Sequence, residues 1–212
     1  MKYDWVLWDF NGTILDDVYT GLHCINALLS RRNLPTLADT AAYKAVFGFP
    51  VSEYYERVGL DLVKEPFDDL AVEWVKEYKE SVKDAGVFPG VREVMNALHD
   101  AGIRQAVLSA TQRDQLREQL LPLNLPDCLE DAIGMDTIHA ASKVTLARDW
   151  RAAHPGARAV MLGDTVHDAE VAREGGMDCI LVSCGHQNAE RLREAGVPVV
   201  ADVQAALALV LE

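Results

Sequence analysis

Three short polar segments of the chain hold the side chains most able to do chemistry. The first runs from Asp9 to Thr13, the second begins at Ser109 and the third runs from Gly163 to Asp168, with Lys143 between the last two. Clustered carboxylates can hold a divalent cation, while an ammonium group and a hydroxyl can bind an anion. Side chains of these types would together suit an anionic substrate.

Each polar segment follows an apolar run that is typical of a buried strand. The runs cover residues 5–8, 105–108 and 159–162. Three helical patterns end at a glycine, at Gly102, Gly176 and Gly196, and an apolar segment follows each almost at once. Repeated helix, glycine and strand units predict an α/β fold with a doubly wound, largely parallel sheet. Ligands bind such sheets at the carboxyl ends of the strands, where the polar segments lie.

Residues 16–86 show the apolar spacing of helices rather than of strands. The apolar positions are Leu22, Ile25, Leu28 and Leu29, then Leu70, Val72, Val75 and Tyr78. Phe88–Gly90 predicts a turn at which the chain returns to the α/β pattern, before a helix over residues 91–101. The sequence therefore predicts a core domain of residues 1–15 and 87–212 that is interrupted by a helical domain at 16–86.

The order of these motifs resembles the haloacid dehalogenase-like hydrolase superfamily. The motif Asp9-Phe-Asn11-Gly-Thr13 follows the first strand, Ser109 follows the second, Lys143 opens a helix, and Gly163–Asp168 follows a third strand. The resemblance covers nearly the whole chain and is closest to the phosphoglycolate phosphatase-like members. It implies a Rossmann-like core and a helical cap, residues 16–86, that closes over the site and excludes water.

The resemblance also implies a magnesium-dependent phosphatase that acts on a small phosphorylated metabolite through an aspartyl-phosphate on Asp9. A phosphate monoester resists attack because its oxygens repel a nucleophile, so the site must cancel charge and hold the attacking atom in line. The expected Mg²⁺ ligands are Asp9, the backbone carbonyl of Asn11, and Asp164, with Asp168 in or just behind the coordination sphere. The cation would also offset repulsion between an anionic substrate and a chain of net charge −13.

Two further residues are expected to act in catalysis by binding the phosphoryl group. Lys143 would pair with Asp9 and with phosphoryl oxygens, although a lysine at a helix start can also be a plain exposed charge. Ser109 would donate a hydrogen bond, assisted by the backbone amide of Ala110. The alternative for Ser109 is a helix N-cap, a position for which Thr111 competes.

Gly12 and Arg57 complete the expected substrate contacts. Arg57 lies near a cap loop that in relatives often faces the active site, where a basic residue could bind a second anionic group; the alternative is a solvated charge. His167 could replace a missing base, since its reference pKa is near 6.5, or serve as a spacer between the two acids. His186 matches a glycine-histidine turn that is usually structural in the family. The remaining histidines, expected to be surface or packing residues, are His23, His99, His139 and His154.

Asn11 departs from the pattern of the family, which usually has aspartate two residues after the nucleophile. That aspartate protonates the leaving oxygen and then deprotonates water, and the loss of a general acid or base typically costs about 10²- to 10⁴-fold in rate. The substrate could have a good leaving group, or a long-lived phosphoaspartate could pass its phosphoryl group to an acceptor. Asparagine could also be a substitution made to trap an intermediate. Restoring aspartate by Asn11→Asp is expected to raise alkyl-phosphate hydrolysis at least about tenfold.

Composition limits the partners that the protein can have. The 212 residues include 33 acidic and 20 basic side chains without a basic patch, so neither nucleic acid nor an anionic membrane is an expected partner. The four cysteines show no zinc spacing and are expected to be reduced thiols. The chain shows no signal-peptide pattern and no run of 18 apolar residues, which favours a cytoplasmic location. We expect a monomer or a homodimer.

Two alternatives to the phosphatase remain open. The first is a phosphotransferase, or a hydrolase of activated phosphates, which Asn11 favours. The second is a non-catalytic phosphate- or partner-binding protein that keeps the fold without turnover. Carbon–halogen cleavage is disfavoured because Asp164 and Asp168, which match magnesium ligands, are retained.

Overall fold

The computed structural model describes residues 2–135 and 142–212 of the chain. Its centre is a six-stranded, fully parallel sheet with the strand order β3-β2-β1-β4-β5-β6. The strands are β1 (Trp5–Trp8), β2 (Arg104–Gln112), β3 (Leu129–Met135), β4 (Ala159–Gly163), β5 (Asp178–Val182) and β6 (Val199–Val200).

Ten α-helices connect or cover the strands within the described residues. They are α1 (Val18–Arg31), α2 (Thr40–Val46), α3 (Val51–Arg57), α4 (Phe67–Ser81), α5 (Val91–Asp100), α6 (Arg113–Leu120), α7 (Lys143–Ala153), α8 (Val166–Glu174), α9 (Ala189–Leu192) and α10 (Val203–Leu211). Apolar side chains form a separate packed cluster on each face of the sheet. The predicted doubly wound α/β fold is therefore present.

Strand β1 lies inside the sheet, between β2 and β4, and all four of its residues are buried. Val6 and Trp8 join the cluster on one face, and Trp5 and Leu7 join the cluster on the other. Since β2 and β4 both pair with β1, the loops after these three strands emerge side by side at one edge of the sheet. The fold therefore brings the three polar segments together.

Strand β2 differs from its prediction. The apolar run at residues 105–108 was expected to end at a polar loop, but the strand continues through Ser109 and Thr111 to Gln112. Its last residue pairs with Met135 of β3 after a register shift. Strand β3 itself was not predicted because it is an edge strand with few fully buried side chains.

Glycine ends the helices where the sequence predicted it would. Gly102, Gly176 and Gly196 have φ values of 74°, 60° and 70°, which are left-handed conformations that only glycine adopts at little cost. Gly90, in the predicted turn before α5, has φ 87°. These turns return the chain to the sheet and so keep its strands parallel.

Residues 16–86, all of which the structure describes, form the helices α1–α4 and a short 3-10 helix, Val82–Asp84, and contain no strand. Their two connections to the sheet run side by side: Leu15 bridges Val87 in antiparallel fashion, and the Asp16 amide donates to the Gly86 carbonyl at 2.9 Å. We call residues 16–86 the helical segment. Its division from the core as a separate domain stays a prediction.

The apolar pattern of the helical segment is only partly buried. Leu22, Ile25, Leu28, Leu29 and Leu70 are buried as expected. In contrast, Val72 and Val75 are 71% and 43% exposed, because α4 turns that side of the helix to solvent. None of the helices within the described ranges has both the length and the apolar character needed to span a bilayer. His139 lies outside the described residues.

Candidate active site

Lys143 stands between two carboxylates at the carboxyl edge of the sheet. Its Nζ contacts Asp9 Oδ1, and it lies 2.5 Å from Asp168 Oδ1. Asp9 follows β1, and Lys143 is the first residue of α7, where the side chain of Ser142 caps the helix by accepting from the amide of Thr145. Lys143 is only 5% exposed, so it is not the plain exposed charge of the alternative reading.

Asp168 is oriented by the start of α8. Its Oδ2 accepts hydrogen bonds from the Thr165 hydroxyl at 2.7 Å, from the Thr165 amide at 3.0 Å and from the Asp164 amide at 3.2 Å. This is a capping interaction that satisfies free amides at the helix end. Because Oδ1 is engaged by Lys143, both oxygens of Asp168 have partners within the protein. Asp168 is thus placed to hold Lys143 beside Asp9.

Asp164 faces the first motif from the loop after β4. Its Oδ2 accepts from the His186 amide at 2.5 Å, and Thr13 donates to Oδ1 at 3.4 Å. Gly12 passes close by with φ 77°, and a Cβ at this position would overlap the Asp164 carboxylate and the His186 ring. Glycine is therefore required at residue 12 for both its conformation and its lack of a side chain.

The side chain of Asn11 is held by three neighbours. Its Nδ2 donates to Asp17 Oδ2 at 2.9 Å and to the Tyr78 hydroxyl at 2.7 Å. Its Oδ1 accepts from the Thr111 hydroxyl at 3.2 Å. Tyr78 also donates to Asp17 Oδ2 at 2.7 Å. A residue of α4 in the helical segment therefore reaches the first motif of the sheet.

Ser109 is buried near the end of β2 and connects to this group. Its hydroxyl donates to the Thr111 hydroxyl at 3.1 Å and accepts from the Thr111 amide. Neither residue caps a helix: Gln112 is the N-cap of α6 and accepts from the amides of residues 114 and 115. Ala110, a predicted substrate contact, is exposed between them.

His186 is buried between two side chains of the helical segment. Its Nε2 lies 3.1 Å from Asp17 Oδ1, and its Nδ1 lies 3.0 Å from the Tyr43 hydroxyl. Asp17 Oδ1 also accepts from the Gly12 amide at 2.9 Å. His167, by contrast, pairs with Glu170 at 3.1 Å, as expected of a spacer on α8.

Arg57 is not joined to the carboxylate cluster by any hydrogen bond that the structure shows. It is exposed, and its Nη1 donates to the carbonyl of Val46 at 2.6 Å. Arg191 donates to the neighbouring carbonyl of Phe47 at 2.9 Å. Lys44 of α2 donates to the carbonyl of Cys184 at 2.7 Å. Lys44 and Arg191 hold the segment around residues 44–57 against the residues after β5, whereas Arg57 makes its hydrogen bond within the segment.

Burial and charge together set the protonation of the cluster. Burial raises the pKa of Asp9 to about 6, with Lys143 opposing the rise and Asp168 adding to it. Burial also raises the pKa of Asp164 well above its usual range. Burial disfavours the charged form of Asp168 as well, but Lys143 outweighs it and lowers that pKa. Asp17 likewise overcomes the effect of burial and raises the pKa of His186 to about 9.

The buried side chains at this edge hold more negative than positive groups. The carboxylates are Asp9, Asp17, Asp164 and Asp168, and the cations are Lys143 and His186. Oxygens of Asp9, Asp164 and Asp168 lie within 4.8 Å of one another. With all four carboxylates ionised, two negative charges would remain uncompensated beside three hard oxygen donors, and such a site fits a divalent cation. This group of residues could therefore bind a metal.

Sequence reasoning did not place beside Asn11 and His186 the four residues that surround them, and it considered Thr111 only as a helix N-cap. They are Asp17, Tyr43, Tyr78 and Thr111. The available signal was the pair Asp16-Asp17 directly after the first motif. Because adjacent side chains point in different directions, the two acids would not both be buried. The structure leaves Asp16 exposed and buries Asp17. The two tyrosines carried no signal because they come from distant turns of the helical segment.

Comparison with known proteins shows the family to which the chain belongs. The family profile described as haloacid dehalogenase-like hydrolase matches residues 6–182. The chain belongs to this family. It is 28% identical over 189 residues to phosphoglycolate phosphatase of Caulobacter vibrioides, covering 85% of this chain and 79% of that protein. It is 25% identical over 207 residues to phosphoglycolate phosphatase of Nitrosococcus oceani, covering 90% and 88%.

Two solved structures share the fold of this chain over nearly its whole length. A haloacid dehalogenase-like family hydrolase of Streptococcus pneumoniae has a TM-score of 0.81 at 16% identity, with 98% of each chain covered. Protein Tyrosine Kinase A of Mycobacterium tuberculosis has a TM-score of 0.78 at 23% identity, with 97% of this chain and 98% of that chain covered. At these identities the likeness shows the fold. The predictions of the family, of the α/β fold class and of a hydrolase are confirmed.

Proposed function

We propose that this haloacid dehalogenase-like hydrolase is a magnesium-dependent phosphatase that acts on a small phosphorylated metabolite through an aspartyl-phosphate on Asp9. The contact of Lys143 with Asp9 at the edge of the sheet carries this proposal. A lysine buried between two carboxylates provides a fixed positive charge beside a nucleophile. The names of the two bacterial relatives support a phosphate ester as the substrate class.

In the proposed reaction an oxygen of Asp9 attacks phosphorus while the bond to the leaving oxygen breaks. Lys143 keeps Asp9 ionised and neutralises charge on the phosphoryl oxygens. Asp168 holds Lys143 in place, and the Ser109 hydroxyl, which donates to Thr111 in this structure, would turn its one proton toward a phosphoryl oxygen. Water then attacks the phosphorus and loses a proton to solvent or to a phosphoryl oxygen, while the electron pair of the broken P–O bond returns to Asp9.

Mg²⁺ is the cation that we propose for the carboxylate cluster. The side chains of Asp9 and Asp164 and the backbone carbonyl of Asn11 would hold it, with Asp168 behind them. When bound, it would neutralise the phosphoryl charge and draw protons off the two carboxyls whose pKa burial raises. The helical segment would exclude water from the bound substrate, as Tyr78 and Lys44 already link it to the core.

The amide at residue 11 favours a second candidate function. Because Asn11 cannot exchange protons near neutral pH, a substrate with a good leaving group, or an acceptor other than water, would suit the site better than an alkyl phosphate. Transfer of the phosphoryl group from Asp9 to an acceptor is therefore the alternative activity. It shares the first step and differs in what removes the phosphoryl group.

The first test is turnover of a panel of phosphates with Mg²⁺, comparing the native chain with Asp9→Asn. The panel would contain p-nitrophenyl phosphate, acetyl phosphate and 2-phosphoglycolate. We expect turnover of at least one, and loss of about 10⁴-fold or more in the variant because it lacks the nucleophile. Asp114→Asn is the matched control, since this exposed residue of α6 is outside the carboxylate cluster.

Each outcome separates the candidates. Turnover of 2-phosphoglycolate, the alkyl phosphate of the panel, supports a phosphatase. Labelling of Asp9 by acetyl phosphate without turnover supports phosphoryl transfer. Neither turnover nor labelling, with Mg²⁺ still bound, would favour a binding protein and contradict the proposal.

A further inference from the structure

The hydrogen bonds around Asn11 permit only one orientation of its amide. Asp17 Oδ2, at 2.9 Å, belongs to a carboxylate that can accept but not donate, so the amide nitrogen must face it. The amide oxygen then faces Thr111, whose hydroxyl donates to it at 3.2 Å. The Ser109 hydroxyl donates to Thr111 in turn. Each residue therefore donates to the next in one direction, from Ser109 through Thr111 and Asn11 to Asp17.

Asp17 cannot turn away from residue 11. Its Oδ1 accepts from the Gly12 amide at 2.9 Å and contacts His186 Nε2 at 3.1 Å, while Tyr78 donates to Oδ2. The residue is 2% exposed, so water does not replace these partners. A carboxylate at residue 11 would have no N–H for Asp17 and would bring a second negative charge against it.

We propose that Asp17 is a positioning residue that fixes Asn11 as a permanent hydrogen-bond donor, so that residue 11 can take part in proton transfer only if residue 17 becomes an amide. The two residues form a matched pair in which one carries the charge and the other carries the N–H. This inference rests on the proposed function, because its consequence concerns the phosphoryl group on Asp9. It means that asparagine at residue 11 belongs to the native reaction and is not a substitution made to trap an intermediate.

The consequence is slow hydrolysis of the phosphoaspartate. As water attacks, a P–O bond forms to the water oxygen, the P–O bond to Asp9 breaks, and one water proton must leave. Asn11 cannot accept that proton, so it passes to solvent or to a phosphoryl oxygen. With aspartate at residue 11 and asparagine at residue 17, the carboxylate at 11 could accept it, and the amide at 17 could donate to that carboxylate. This exchange changes neither the net charge nor the number of heavy atoms.

The experiment compares the native chain with Asn11→Asp, Asp17→Asn and the double variant. Asp9 is labelled with acetyl phosphate and Mg²⁺, and the decay of the phosphoprotein is followed by acid quench and intact mass. We expect the double variant to lose its label at least about tenfold faster than the native chain, as a regained base would allow. Asn11→Asp alone should gain less than about threefold, and not the tenfold or more that the sequence alone predicts, because Asp17 offers a carboxylate at residue 11 no N–H. The control is Asp16→Asn, at the exposed neighbouring acid. Combined with Asn11→Asp, it should not increase the rate at which the label is lost.

Thermal unfolding without metal gives a readout that does not need labelling. Asn11→Asp should lower the melting temperature, and Asp17→Asn, but not Asp16→Asn, should restore it. Full acceleration by Asn11→Asp alone, or a melting temperature that Asp17→Asn does not restore, would overturn the inference. If the native chain takes no label and shows no turnover, the proposed function fails, while the unfolding comparison still decides whether residues 11 and 17 are matched.

Discussion

Lys143 lies where a charged side chain is stable only because its neighbours carry the opposite charge. The carboxylates of Asp168 and Asp9 raise its pKa despite burial, so it stays protonated at every pH at which the protein is expected to work. Removing one partner of a buried ion pair leaves the other charge uncompensated, which is costlier than never burying the pair. The lysine is therefore as important for the stability of this edge as for the proposed chemistry.

Replacing Lys143 by methionine tests this directly. We expect Lys143→Met to lower the free energy of unfolding by about 3–5 kcal/mol in metal-free buffer, because two buried carboxylates lose their cation. Chemical denaturation would measure the change. Lys83→Met is the control, since the exposed pair of Lys83 with Glu80 should contribute less than about 1 kcal/mol. Equal losses in the two variants would contradict the role given to burial.

Gly12 offers a second test at the scale of one residue. Gly12→Ala must place a side chain at φ 77° and against the Asp164 carboxylate, so both strain and overlap oppose it. Gly59→Ala is the matched control, because φ there is 99° and nothing lies within 4 Å of the added carbon. We expect about 1–2 kcal/mol of destabilisation in the control, from the left-handed backbone alone, and a larger loss at Gly12. A loss no larger at Gly12 than at Gly59 would mean that the loop moves aside freely.

Ion pairs join the C-terminal end of α1, and the residue after it, to α4 and the turn before it. Arg31 contacts Glu73 at 2.7 Å and Glu77 at 2.5 Å, while Arg32 contacts Glu73 at 2.8 Å and Glu65 at 2.7 Å. The pKa of Glu73 is lowered, chiefly by its hydrogen bond to Arg32. These contacts supplement the apolar packing that holds the helical segment together.

The lowered pKa of Glu73 predicts how acid affects this helix pair. A carboxyl whose pKa is lower in the folded chain adds stability above its unfolded pKa, near 4.5, and that stability is lost as the pH falls through the folded value. We expect Glu73→Gln to lower the free energy of unfolding by about 0.5–1 kcal/mol at pH 7, and by less as the pH falls below 4.5. Urea unfolding between pH 3 and 7, with Glu118→Gln at an exposed residue of α6 as control, would measure this. A difference that stays constant with pH would contradict it.

The sequence predicts elements best where a local pattern is sufficient, such as an apolar run for a strand or a glycine at the end of a helix. Strand β1 is entirely apolar and was placed at its observed bounds, and the glycines that end helices were placed correctly. Strand β3 was missed because its sequence, with Glu130 and Asp131 exposed, lacks the apolar run of a buried strand. The end of β2 was misplaced because polar residues continue a strand when their backbone pairs with a neighbour, which local sequence does not record.

The same limit applies to the site. Residues within a sequence motif could be predicted, whereas side chains that reach the site from distant parts of the chain could not. Motifs placed Asp9, Lys143, Asp164 and Asp168 at one edge, and the structure brings them together there. The partners of Asn11 escaped prediction because Tyr78 is 67 positions away and reaches it only after α4 packs on α1. The resemblance to a family could not supply them either, because it described the usual aspartate at this position and not the neighbours that an amide requires.

Across the whole molecule, binding of a cation should couple to folding. If Mg²⁺ binds the native carboxylate cluster and not the unfolded chain, a concentration about 100 times its dissociation constant should raise the free energy of unfolding by about 2.7 kcal/mol. Thermal scans with Mg²⁺ and with a chelator would show the shift. Asp164→Asn should respond far less, since it loses a proposed ligand. An equal response in the native chain and the variant would place the ion elsewhere.

The side-by-side connections at residues 14–16 and 86–88 have a consequence for how such chains can vary. Because the Asp16 amide and the Gly86 carbonyl lie within 2.9 Å, the intervening helices leave and re-enter the sheet at one point, as a hairpin loop does. Whole segments of other lengths could be exchanged there without altering any strand of the sheet. A chimaera that carries a relative's insert should keep Lys143 and the carboxylate cluster but would lose Asp17 and Tyr78, which hold Asn11. Residue 11 must therefore change together with the transplanted block.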